Sequence, residues 1–243
     1  MSLIKLDAIP STNSYLRLLS NENRLKDYTV VITENQTAGR GQRGTSWVSE
    51  PGKNLTFSVF KDVSAVNLKQ PFLISIVTSL AVLRALNTLA IPKLSIKWPN
   101  DILAENKKIC GILIENVIKN KQYKASIIGI GVNINQNGFD NLPQASSLKI
   151  ITGRVFNSEE VMKAILKELK KSFKQLEKGE IEVLKDAYDD YLFRKNKPST
   201  FKDAEGHFFS GYIKNVSESG ALQVLLEDGI VRAFDLKELT LMY

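Results

Sequence analysis

One cysteine, Cys110, and one histidine, His207, are all the chain has of either residue. A single thiol excludes an intramolecular disulfide and makes a cysteine-rich metal site untenable. A lone histidine removes most histidine-based chemistry. Long apolar runs are also missing: none reaches the length of a membrane span, and the N-terminus lacks the basic, apolar, small-residue order of a secretory signal. A reduced, cytoplasmic protein without membrane contact is therefore expected. The phosphate-loop string GxxxxGK[ST] does not occur, which excludes a generic NTPase of that class. Acidic residues are in the minority, 26 against 33 basic ones, for a net charge of +7. The lysines are spread along the whole length and form no block, so the charge favours solvated surface or an acidic protein partner over DNA.

What the chain does have is 43% hydrophobic content over 243 residues, enough for one large domain and a small appendage. Strand patterns run from Tyr28 to Thr33, Leu55 to Phe60 and Leu94 to Trp98, and a hairpin joins Ile109–Glu115 to Tyr123–Ile130. Helical periodicity covers Leu68–Leu89, Ser158–Lys178 and Ile181–Phe193. Pro99, Asn100 and Asp101 are expected to turn. Near residue 195 the pattern changes to short alternating segments divided by Glu205-Gly206, Ser219-Gly220 and Asp228-Gly229. The expected division is a domain of residues 1–194 and a β unit of residues 195–243, an SH3-like barrel. Cys110 falls inside an apolar strand, where a buried, inert thiol is the default.

The stretch from Gln36 to Trp47, QTAGRGQRGTSW, carries the densest chemistry. Gly39, Gly41 and Gly44 alternate with Arg40, Gln42 and Arg43 directly after a strand. Glycine lets the backbone approach a ligand closely, and arginine supplies a forked donor matched to carboxylate or phosphate. A solvated surface loop is the plainer reading of such a segment taken alone. Ser11, Thr12 and Asn13 stand where a helix begins and serve as capping residues, or as donors to a polar ligand head. Gly129, Gly131 and Asn133 end a strand, either as a bulge or as a place where a ligand meets bare backbone.

Taken in order, STN at Ser11–Asn13, QTAGRGQRG followed by Trp47, KWPND at Lys97–Asp101, KKICGILIE at Lys107–Glu115 and GIGVNIN at Gly129–Asn135 resemble the biotin protein ligases. The likeness extends from about Leu3 to Tyr243. It implies an α+β fold, a mixed β-sheet flanked by helices of the class II synthetase-like kind, with the small C-terminal SH3-like domain. It also implies two steps: biotin and MgATP give biotinyl-5'-AMP and pyrophosphate, and the acyl group then passes to a lysine on the biotin carboxyl carrier protein of acetyl-CoA carboxylase. By the same resemblance Ser11, Thr12, Asn13 and Gln36 hold the biotin ring system, with Gly39, Arg40, Gly41, Gln42, Gly111 and Gly129 around it. Lys108 contacts both the carboxylate and the α-phosphate, Trp47 flanks adenine, and Arg43, Lys97, Asn100, Asp101, Gly131 and Asn133 lie on the nucleotide side. Lys108, Arg40 and Asp101 are the catalytic candidates, and Asp101 either touches magnesium or orients the incoming amine.

Two positions depart from the commonest family pattern: Gln42 stands where arginine is frequent, and Thr45 where arginine or asparagine is common. A weaker grip on phosphate and some release of adenylate follow from that. Many bacterial members carry an N-terminal winged helix-turn-helix. Here STN begins ten residues in, so a monofunctional enzyme that does not bind DNA is expected, and a homodimer is allowed. The rivals are a lipoate-protein ligase of the same fold and a non-enzymatic, nucleotide-responsive regulator.

Overall fold

The computed structural model describes residues 2–22, 24–66, 68–140 and 142–243, with the side chain of Arg43 also outside the description. Seven strands build the main sheet: β1 (Ser2–Ile9), β2 (Thr29–Gln36), β3 (Leu55–Asp62), β4 (Leu94–Lys97), β5 (Asp101–Ala104), β6 (Lys107–Lys119) and β7 (Gln122–Val132). Their order is β1-β2-β3-β7-β6-β5-β4. β1 and β2 are parallel, which requires a crossover, and helix α1 (Thr12–Glu22) provides it. The other neighbours are antiparallel, so the sheet is mixed, as expected.

Helices α2 (Phe72–Thr88), α4 (Ser158–Glu177) and α5 (Ile181–Asp190) accompany a short α3 (Leu148–Thr152). α2 is buried nearly all round, because α4 and α5 pack against it on one side and the sheet on the other. α4 is capped by Asn157, whose side chain accepts from the N–H groups of Glu159 and Glu160 at 2.9 and 3.2 Å. The main core, including Phe57, Ile112, Ile128 and Ile130, lies on this helix-covered face. On the opposite face α1 covers only one end, leaving the rest open for a site.

The hairpin of β6 and β7 is longer than the sequence pattern suggests, and it turns on Asn120 and Lys121, both at positive φ. The KWPND segment differs from expectation. The turn is shorter, and Asp101 opens β5, a strand of four residues. The helix expected to reach Phe193 stops at Asp190, because Ile96 donates to the Tyr191 carbonyl and accepts from Phe193, both at 2.8 Å, drawing this segment alongside β4.

The C-terminal strands are β8 (Pro198–Asp203), β9 (Phe208–Val216), β10 (Leu222–Leu226), β11 (Val231–Phe234) and β12 (Leu239–Met242), in the order β11-β10-β9-β8-β12. The expected β unit is present. Its pairings among the described residues form an open sheet and do not close it into a barrel. It is tied to the main domain by Trp98 Nε1, which donates to the Gly220 carbonyl at 2.9 Å, and by Gln144 Nε2, which donates to the Tyr243 carbonyl at 2.6 Å.

Asp189 of α5 lies near this junction, and burial raises its pKa to about 6 against opposing effects of Lys195 and the Val216 N–H. A raised folded-state pKa favours the neutral acid, so its contribution is complete below the ordinary carboxylate range and is lost as pH rises through about 6. Asp189→Asn is therefore expected to be more stable than the parent at pH 8 by about 1 kcal/mol, after allowance for partial exposure. The advantage should vanish near pH 4, as read from urea midpoints at the two pH values.

Candidate active site

Strand register creates the floor of a cavity. One row runs straight across the sheet: Thr33, Thr56, Gly131, Gly111, Asp101, Lys97. The row beside it contains Val31, Ser58, Gly129 and Leu113. Side chains in one row point to the same face, so three glycines strip that face bare at its centre while polar groups flank them. Above the floor is a cavity of about 260 Å³.

At one end stands the first turn of α1. Thr12 donates to Gln36 Oε1 from both its backbone N–H (2.9 Å) and its hydroxyl (3.1 Å). Asn13 donates through Nδ2 to the Leu113 carbonyl (3.2 Å) and to Glu115 Oε2 (2.9 Å). These bonds fix the orientation of both amides. Ser58 Oγ then lies 2.7 Å from Thr12 Oγ1 and 2.6 Å from Asn13 Oδ1. Three oxygen–oxygen contacts, Gln36–Thr12, Thr12–Ser58 and Ser58–Asn13, share the two hydroxyl protons of Thr12 and Ser58. Each of these groups has a partner, Gln36 Oε1 through the Thr12 N–H, and their oxygens keep lone pairs that can accept from an N–H donor entering the cavity. Gly129 leaves room for Asn13, since a Cβ there would stand 2.4 Å from Asn13 Oδ1.

The glycine-arginine loop folds back on itself over the cavity as a small hairpin. Trp47 N donates to the Gly39 carbonyl at 3.0 Å, Gly41 N to the Thr45 carbonyl at 2.6 Å, and Arg40 bridges to Ser46. Thr45 Oγ1 donates to the Gln42 carbonyl at 2.8 Å, closing a turn at Gln42–Gly44. The Trp47 indole is pressed against Gly111 and Gly131, and its buried Nε1 has no hydrogen-bond partner. A flat ring on bare backbone marks a place where a second flat ring could stack.

At the other end Lys108 Nζ lies 2.7 Å from Asp101 Oδ1 and 5.8 Å from the centre of the Trp47 ring. The ion pair is close but out of line, because Asp101 Oδ1 makes no hydrogen bond. Next in the row is Lys97, whose pKa is lowered first by burial and, against the pull of Asp101, further by Lys108. Its ammonium sits 4.7 Å above the Tyr243 ring. Lys108 is held in place by its backbone: its N–H donates to the Gln144 carbonyl (2.7 Å), and its carbonyl accepts from Ser146 (2.9 Å).

The cavity thus has a neutral, donor-seeking end and a cationic end under an arginine-bearing cover. Residues 6–133 match the model of the biotin/lipoate A/B protein ligase family. The chain belongs to that family. Among its relatives, the bifunctional ligase/repressor BirA of Bacillus subtilis is 29% identical over 236 residues, covering 96% of this chain and 72% of the relative. The biotin--[acetyl-CoA-carboxylase] ligase of Mycobacterium tuberculosis is 32% identical over 162 residues, covering 65% and 59%. The solved biotin protein ligase from Aquifex aeolicus, in complex with biotin and ATP, superposes with a TM-score of 0.82 at 26% identity, over 99% of this chain and 98% of that one.

In this member of the biotin/lipoate ligase family, most residues singled out from sequence meet at one place. Ser11, Thr12, Asn13, Gln36, Arg40, Gly41, Gln42, Trp47, Asn100, Asp101, Lys108, Gly111, Gly129 and Gly131 all line the cavity. Gly39 stands just behind it, in contact with Trp47 and Gln36. Lys97 lies in the row beyond Asp101, outside the lining. Asn133 is also outside: it is buried, and its amide donates to the Ser146 carbonyl at 2.9 Å, pinning the segment that holds Lys108. Asn100 points its amide at the Ile112 carbonyl, 2.6 Å away, and so ties β5 to β6. The Arg43 side chain lies outside the described residues.

Ser58, Thr56, Leu113 and Glu115 were not singled out from sequence. They follow the ordinary alternation of strands, and only their register with Gly129 and Gly131 reveals them. Cys110 is fully buried, and burial pushes its thiol pKa up, in keeping with an inert thiol.

Proposed function

We propose that this chain is a biotin protein ligase that activates biotin with ATP and transfers it to a lysine of a carrier protein. The observation that carries the proposal is the acceptor-rich cluster of Gln36, Thr12, Ser58 and Asn13 at the far end of the cavity from Lys108. Biotin's ureido ring offers N–H donors and a carbonyl to such a cluster, while its valeryl chain would cross Gly129 and Leu113 to bring the carboxylate toward Lys108. A lipoyl dithiolane has no polar hydrogen to offer these oxygens and would cover them without a bond in return, a mismatch that a polar site disfavours.

In the first step the carboxylate attacks the α-phosphorus of ATP and pyrophosphate leaves. Two anions must meet, and Lys108, a compact charge on a flexible stem, can sit between them while the fork of Arg40 holds one in place. Trp47 would stack on adenine. In the second step a lysine amine of the carrier attacks the acyl carbon and AMP leaves. Asp101, 2.7 Å from Lys108, would orient that amine or touch the magnesium ion. The hairpin of residues 39–47 would shield the mixed anhydride from water meanwhile.

Magnesium would come with ATP. Asp101 offers one buried oxygen without a hydrogen bond, but no three acidic, histidine or cysteine side chains gather into a cage among the described residues. The phosphates would therefore supply most of the ion's ligands.

The acceptor in the proposal is the biotin carboxyl carrier protein of acetyl-CoA carboxylase, and the setting is cytoplasmic. No helix among the described residues is long and apolar enough to cross a membrane. A homodimer would pair along the central sheet, whose β1 lies at one edge.

The test is to mix the protein with biotin, MgATP and a carrier domain and to probe for covalent biotin with avidin. A biotinylated carrier is expected. Because Gln42 replaces a cation and Thr45 is spent closing the turn, the same mixture without carrier should release measurable adenylate into solution. No avidin signal, or a carrier mass increase with lipoate equal to that with biotin in parallel mass spectrometry, would overturn the proposal.

A further inference from the structure

Donors from three side chains converge on one carboxylate that does not line the cavity. Glu115 of β6 accepts from Arg40 Nη2 of the hairpin at 2.9 Å and from Asn13 Nδ2 at 2.9 Å, and Arg17 Nη1, one turn along α1, lies 3.8 Å away. The Glu115 side chain is 19% exposed, whereas Arg40 is 47% exposed, so the carboxylate is the fixed partner and the arginine the mobile one. Asn13 spends both nitrogen hydrogens, on Leu113 and Glu115, and one lone pair of its oxygen, on Ser58, which leaves the second lone pair for a ligand. Both Asn13 and Arg40 line the cavity.

We propose that Glu115 is a positioning residue that pins the glycine-arginine hairpin to the α1 end of the cavity. By holding Arg40 and Asn13 with the same oxygen, Oε2, it couples the fit of the polar head to closure of the cover. Asn13 presents its oxygen to the head because its nitrogen is anchored on Leu113 and Glu115, and the shorter of these two anchors is also the counter-ion of Arg40. A charge-assisted bond to a mostly buried carboxylate is strong enough for this, while the exposed arginine can still let go when the ligand leaves. The proposal rests on the reading of the cavity as a biotin site.

The conservative variant Glu115→Gln keeps an acceptor for Asn13 but loses the ion pairs with Arg40 and Arg17. It is expected to raise the KM for biotin about tenfold with a smaller fall in kcat, about threefold, since Glu115 touches no reacting group and reaches the chemistry only through Arg40. Trypsin cleavage after Arg40, followed by mass spectrometry, should be slow in the parent with biotin bound and several-fold faster in Glu115→Gln under the same conditions. Glu115→Asp, which keeps the charge but shortens the reach, should fall between the two. A purely structural role would lower thermal stability without separating KM from kcat and without singling out the Arg40 bond. If biotin slows cleavage equally in the parent and in Glu115→Gln, the pinning role is wrong and the biotin reading stands. If biotin slows cleavage in neither and gives no adenylate, the biotin reading itself fails.

Discussion

Replacing Lys108 with alanine is expected to slow adenylate formation by about a thousandfold, the scale on which removing a preorganised electrostatic group acts. The loss should fall mainly on kcat. The ammonium matters most where the carboxylate and the α-phosphate are forced together, and it matters much less for the neutral head bound at the other end of the cavity. The fold should survive, because the backbone of residue 108 is held on one side by β5 and on the other by Gln144 and Ser146, bonds that do not involve the side chain. Asp101 would lose its partner while staying mostly buried, at a cost of about 1–2 kcal/mol in stability. Lys108→Arg keeps the charge but replaces a point donor with a fork and should recover part of the rate. Rapid-quench measurement of biotinyl-5'-AMP, alongside circular dichroism, separates the chemical effect from unfolding. An alanine variant that forms adenylate at the parent rate would remove Lys108 from the chemistry.

Gly131→Ala is the second change with a large expected effect, and it acts through shape. A Cβ at residue 131 would stand 2.5 Å from Cε2 and 2.6 Å from Cζ2 of Trp47, so the indole must lift off the floor. Trp47 ends the hairpin that begins at Gly39, and moving it displaces the whole cover. We expect kcat/KM for ATP to fall about a hundredfold, in line with the sensitivity of bound-substrate geometry to small displacements. The melting temperature should hardly change, because the backbone at Gly131 is ordinary strand. Gly138→Ala provides a control, since a Cβ there meets nothing within 4 Å. Steady-state kinetics with varied ATP decides the point. Unchanged kinetics in Gly131→Ala would mean that Trp47 leaves this floor when nucleotide binds.

The contrast between these two residues shows how far the sequence could be read. Arg40 and the Ser11–Asn13 triplet were visible because their chemistry is carried by residue type and local spacing, and Lys108 through its place in the KKICGILIE segment that the family resemblance rests on. The pairing of Gly111 with Gly131 was not. A two-residue turn at Asn120–Lys121 starts the hairpin with Lys119 opposite Gln122, and counting outward from that pair would set Gly111 against Ile130. An irregularity between Val117 and Ile118 shifts the register by one residue and brings the glycines opposite each other. No residue type announces that shift.

β5 was hidden for a related reason. Its four residues follow Pro99 and Asn100, both strong turn formers, and it exists because β4 and β6 flank it on either side. β1, whose alternation is weak, is fixed by parallel pairing to β2 across the α1 crossover, a contact distant in sequence. Glu115 and Ser58 resemble any alternating strand residues until α1 is laid across them. The helices α4 and α5 were readable nearly to their ends because their periodicity is local.

The most direct measurement is to incubate the purified protein with MgATP labelled at the α-phosphate and either biotin or lipoate, without carrier, and to resolve the nucleotide products. Labelled biotinyl-5'-AMP is expected with biotin, and no adenylate with lipoate. An adenylate formed equally well from lipoate, or none from biotin, would contradict the proposed function.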